Sequence, residues 1–137
     1  MGLLAFMHPI SNFVIAAIFL LALNYLFGLT ADFVNGQKWS LKKSFTAFIH
    51  AFILLGIIAF TFIIGHYMHN DSGALQCVSY FMYVAIYFFG LNILRNIREL
   101  LTKGSPMYLL VDFIYYVLSL QFSEKIPLLK DYLSKKQ

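Results

Sequence analysis

Phe45–Met68 reads FTAFIHAFILLGIIAFTFIIGHYM, a run without one Asp, Glu, Lys or Arg. A helix needs roughly 20 apolar residues to cross about 30 Å of hydrocarbon, and this run meets that length. A water-soluble helix carries one apolar stripe, whereas this one is apolar nearly all round, as a helix facing lipid must be. A second run precedes it, through NFVIAAIFLLALNYLFGL from Asn12, and a third covers about Ala74 to Leu101. The runs are broken only at Thr30–Ser44 and His69–Gly73. The pattern predicts an all-α membrane protein with three transmembrane helices over about 10–34, 41–69 and 74–101.

Composition agrees. Of 137 residues, 61% are hydrophobic and 12% charged, outside the usual soluble mixture. That length suits one membrane domain over 1–137, with no room for a separate catalytic unit. The lone Cys77 lies in an apolar run without an intrachain partner, and is expected as a small buried residue. The formal charge of +4 does not point to nucleic acid, because of where it sits. Lys38, Lys42 and Lys43 precede the Phe45–Met68 run; Arg95, Arg98 and Lys103 close the run from Ala74; the remaining lysines lie in the tail. These are juxtamembrane positions, suited to lipid headgroups and to setting topology. The first loop carries three lysines and the second none, which predicts a cytoplasmic first loop, an outside N-terminus and a cytoplasmic C-terminus. The start, MGLLAFMHPI, lacks the basic region of a signal peptide and is expected to stay as membrane helix.

Local signals set the boundaries. Pro9 suits a helix start, Asn35-Gly36 a stop, and Lys103-Gly104-Ser105-Pro106 a break after the third helix. The segment 106–122 is apolar but short, holds Asp112 and Gln121, and is trailed by Lys125, Lys130, Lys135 and Lys136. It reads as an interfacial or re-entrant amphipathic helix rather than a fourth span. A basic tail, 123–137, follows, in which LLKDYLSKK is a short amphipathic piece.

Polar side chains inside the spans need partners in lipid, so each is helix-packing glue or part of a pathway. At 100° per residue, Ala17, Asn24, Gly28 and Asn35 fall in a strip about 40° wide, with Asp32 at its edge. That face suits close packing, with Asn24 bonding a neighbouring helix or lining a wet lumen. On the second helix Lys43, His50, Ile57, Thr61 and Met68 lie nearly on one line. His50 is a structural hydrogen-bonding group or a gating one. The third helix carries Gln76, Tyr80, Tyr83 and Tyr87 on one face and Asn92, Arg95, Asn96 and Glu99 on another. Arg95 and Glu99 have the i,i+4 spacing of an interfacial ion pair. His66 and His69 share a face near Asp71, but a metal site needs three or four ligands, so interfacial anchoring is expected and no metal. Tyr108, Tyr115 and Tyr116 suit an aromatic belt. There is no nucleophile–base set and no Gly-rich phosphate loop, so neither an enzyme nor a cofactor is expected.

The stretch Leu23-Asn24-Tyr25-Leu26-Phe27-Gly28-Leu29, then Asn35-Gly36-Gln37, Ser40 and Lys42-Lys43, resembles the toxin-secretion/phage-lysis holin family. In that family the first helix ends in a D-Y-x-x-G-type signature, followed by an N-G turn and a basic start to helix two. Gly90-Leu91-Asn92-Ile93-Leu94-Arg95-Asn96 is similar to its G-I-S-I-L-E-N motif, and Lys125-Ile126-Pro127-Leu128-Leu129-Lys130 to its Pro-containing basic tail. The likeness spans about Leu23 to Leu133. Asn24 stands where the family usually has an aspartate, and Phe89 and Arg95 where it usually has glutamates; Met107–Phe122 looks like an insertion. The resemblance implies a small phage or prophage protein that accumulates in the bacterial cytoplasmic (inner) membrane and opens lesions releasing a lytic enzyme or toxin. A non-lytic assembly or anchor subunit, or a small ion channel, of the same family is the alternative.

Three packed helices, each about 10 Å across, enclose no lumen, so conductance demands a homo-oligomer. A hole for a folded enzyme needs a rim over roughly 100 Å around, hence on the order of ten or more subunits. Lipids and further copies of the chain are the expected partners, with a different membrane protein as a third, and no nucleic acid.

Overall fold

The computed structural model describes residues 7–136, the side chains of Phe122 and Ser123 excepted. The expected helical start at Met1–Phe6 lies outside them. Pro9 sits in a 3-10 turn, His8–Ile10, that runs straight into α1, Ser11–Val34. The turn Asn35-Gly36 ends α1 by a specific geometry. The Gln37 amide donates to the Asp32 carbonyl (2.8 Å) and the Gly36 amide to that of Phe33 (3.1 Å). This pairing needs a left-handed residue, and Gly36, at φ +80°, supplies it without a Cβ penalty.

Helix α2, Leu41–Tyr67, ends in the same pattern, but His69 takes the left-handed position at φ +57°. The Asn70 amide reaches the Gly65 carbonyl (2.9 Å), and the Asn70 side chain at once caps α3, Asp71–Glu99, by accepting from the Gly73 amide (3.1 Å). The hairpin is so tight that a Cβ on Gly65 would lie 2.3 Å from Ala74 Cβ. All three helices are long and apolar enough to cross a membrane.

The core runs along one face of each. Ala17, Leu21, Asn24, Gly28 and Ala31 of α1 step by three or four, as do Val78, Met82, Ala85, Phe89, Asn92 and Asn96 of α3. These are the spacings of helices packed side by side with slight crossing. Leu54, Ile58 and Phe62 of α2 complete the cluster with Ile10. The outer surface is apolar too: Phe48, Phe52 and Phe60 stand largely exposed. Such a surface has lipid as its solvent. The chain is a multi-pass membrane protein in contact with lipid. Cys77, expected as buried, is exposed. Ala74 and Val78 take the inward positions on α3, and Cys77, a quarter-turn away from Val78, points outward.

Gly104 (φ +83°) turns the chain, Pro106 starts α4, Pro106–Lys125, and Ser105 Oγ accepts from the Tyr108 amide (3.2 Å). Helix α4 folds back antiparallel along α3. Arg98 Nη1 donates to Asp112 Oδ1 (2.6 Å), Leu118 lies beside Gly90, and Tyr80 donates to the Pro127 carbonyl (2.7 Å). From Arg98 to Tyr80 the contacts climb about 27 Å of α3 at 1.5 Å per residue. The helix therefore packs lengthwise against α3 rather than lying flat across the bundle end. Ile126 and Leu129 seal the arm against Tyr87 and Leu91. The short helix α5, Leu129–Lys136, closes the chain.

Candidate functional site

Where α1, α2 and α3 approach the lysine-bearing loop, they part around a cleft of about 560 Å³. Asn24, Gly28 and Asp32 line it from α1, Lys42, Lys43, Thr46 and His50 from α2, and Asn92 and Asn96 from α3. The helical period explains why they meet. On α1 and α3 each set repeats by four residues toward the basic end, on the same side as that helix's apolar core contacts; on α2 Lys43 and His50 lie nearest that side, and Lys42 and Thr46 stand farther round the helix.

Hydrogen bonds tie the cleft across. Asn92 Nδ2 donates to Asn24 Oδ1 (2.6 Å), joining α3 to α1 at its inner end. In lipid-exposed bundles such a bond contributes about 0.6 kcal/mol on average, reaching about 1.7. Tyr25 Oη and Ser44 Oγ lie 2.5 Å apart, and Trp39 Nε1 donates to Tyr25 Oη (3.4 Å). Lys43 forms an ion pair with Asp32 and also reaches Gln37 Oε1 (3.3 Å). Asn96 Nδ2 sits over Gly28, 3.7 Å from where a Cβ would stand. His50 is the innermost α2 residue of the cleft wall, its ring 6.4 Å from that of Phe89. Lys42 lines the mouth, and Lys38 stands exposed in the loop.

Asn24, Gly28, His50, Asn92 and Asn96 therefore converge on one site. Thr61 does not join them; it lies farther along α2 among apolar side chains. Arg95 and Glu99 do not form the expected ion pair. Asn35 Nδ2 donates instead to Glu99 Oε2 (3.4 Å), and Arg95 is exposed. The ionic link near the end of α3 is Arg98–Asp112, with the Arg98 guanidinium also 4.5 Å above the Tyr115 ring. Sequence reading missed this pair, although Asp112 is a lone charge in an apolar segment and such a charge seeks a partner. His66 Nδ1 lies 3.0 Å from Asp71 Oδ1, across the hairpin turn.

A cleft of amides, hydroxyls, an imidazole and lysines can hydrogen-bond water and hold negative charge. Among the described residues no group of three or more His, Cys, Asp or Glu could hold a metal ion. A family model described as the bacteriophage holin family matches residues 3–114. The chain belongs to the bacteriophage holin family. No curated protein and no solved structure matches it. Holins are non-enzymatic in general. The matched stretch takes in all three long helices and the first half of α4, and stops before the basic tail. Within it, Asn24 and Asn92 make a neutral amide pair between α1 and α3.

Proposed function

We propose that this chain is a working holin: it accumulates in the bacterial cytoplasmic membrane as a homo-oligomer and permeabilises it, releasing a lytic enzyme or toxin. The family match over 3–114, on a chain dominated by three apolar helices, carries the reading. In this reading the whole chain is one membrane domain with no catalytic role. The lysine-bearing first loop faces the cytoplasm and the N-terminus lies outside, as the distribution of basic residues between the two short loops argues. The end of α3 is then cytoplasmic. The tail, expected in the cytoplasm from its lysines, folds against α3, with Pro127 at Tyr80 and Leu129 beside Leu91. Conductance belongs to the assembly, because a single bundle encloses no lumen.

Regulated expression in a bacterial host is the test. Once the protein has accumulated, the membrane potential is expected to collapse and an impermeant dye to enter. An intact potential at high membrane abundance would overturn the proposal.

A further inference from the structure

The polar cleft continues into something else. On α2, Thr46, His50, Ile53, Ile57, Phe60 and Ile64 advance by three or four residues, so they form one stripe. The first two line the cleft; the other four line an apolar groove of about 800 Å³ between α2 and α3. On α3 the order is the same: Asn96 and Asn92, then Phe89, Ala85 and Phe81. The His50–Phe89 ring contact marks the junction. Cleft and groove therefore follow one another along α2 and α3, polar at the mouth and apolar beyond. The apolar part, Ile53 to Ile64, is about 16 Å long at 1.5 Å per residue. One leaflet of a bilayer core measures about 15 Å.

The charges at the mouth do not cancel. Asp32 neutralises Lys43, and among the described residues no other acid lines the cleft, which leaves Lys42 as the uncompensated cation. Net positive charge at one end and apolar walls beyond it match an anionic amphiphile, head to mouth and chain to groove. We propose that this groove binds one anionic phospholipid from the leaflet at the lysine-bearing end, with Lys42 holding the phosphate and an acyl chain lying along Ile57 and Phe60. The site needs only a membrane-embedded chain and stands apart from any lesion.

Native mass spectrometry of the full chain, extracted from an equal mixture of dioleoyl-phosphatidylglycerol and dioleoyl-phosphatidylcholine, tests it. One retained phosphatidylglycerol per chain is expected in preference to phosphatidylcholine. Lys42→Gln should cut that preference by about fivefold, the effect of one basic side chain near an anionic surface. Ile57→Trp, which fills the groove, should lower retention of both lipids while helix content by circular dichroism stays unchanged. Equal retention of the two lipids, or an unaltered preference in Lys42→Gln, would overturn the proposal. So would disulfide-linked dimers of an Ile57→Cys, Cys77→Ser chain in lipid, which would assign the groove to a second copy.

Discussion

The two ends of the three-helix bundle are built on opposite terms. At the hairpin end, Ile10, Phe62 and Val78 are fully buried, and Gly65 admits Ala74 to backbone distance. At the basic end the same helices part around a polar cleft, tied by single hydrogen bonds and a half-exposed ion pair. The difference shows where each kind of glue operates. Helices in lipid gain no hydrophobic drive toward one another, so close packing of small residues holds one end and polar bonds hold the other. The closed end excludes everything, and the open end leaves space for water and headgroups.

Two glycines break the comparison most directly. Gly65→Ala pushes a methyl into Ala74 Cβ, with the Ala74 Cα and the Asn70 carbonyl also close, so nothing flexible gives way. Overpacking of this kind costs about 1–3 kcal/mol. Thermal unfolding in detergent should show a clear loss. Gly28→Ala, at the open end, meets only Asn96 Nδ2 at ordinary contact distance and should change little. Equal losses for the two variants would erase the contrast.

Next in size is the arm. Asp112→Leu leaves Arg98 without its carboxylate. A charged hydrogen bond contributes about 1.5–3 kcal/mol, reduced here to about 1 because both side chains are partly exposed. In a chain with Cys77→Ser and Leu118→Cys, a thiol reagent should label position 118 faster once Asp112 is replaced. Unchanged labelling would mean that apolar contacts alone seat α4. The smallest effect belongs to the cleft's inner tie. Asn92→Ala should lower unfolding resistance by about 0.6 kcal/mol, the average for an interhelical bond in a bilayer. A loss above about 2 kcal/mol would make the open end as tightly held as the closed one.

Three helices and their breaks were readable in the amino-acid order because span length and turn chemistry are local. Asn35-Gly36 announced a stop, and Gly36 makes it by adopting a positive φ. His69 in the left-handed position gave no such signal, since the tight link to Asn70 imposes it. The candidate site was partly legible: period placed Asn24 with Gly28, and Asn92 with Asn96, on common faces. What period leaves out is which faces meet. Glu99 could reach Arg95 within its own helix, yet the bundle brings Asn35 to it from α1. Asp112 spoke against a deeply placed α4 only while it was counted as a bare charge; pairing with Arg98 removes most of that objection. Cys77 misled because an apolar run has no inside from sequence alone.

Trp39 carries a practical consequence. It is the sole indole of the chain, it stands beside the cleft mouth, and its ring N–H points at Tyr25. Excitation at the red edge of protein absorbance therefore selects one fluorophore at one depth, and its emission colour serves as a built-in gauge of how wet that corner becomes when the chain meets other copies or changes of lipid.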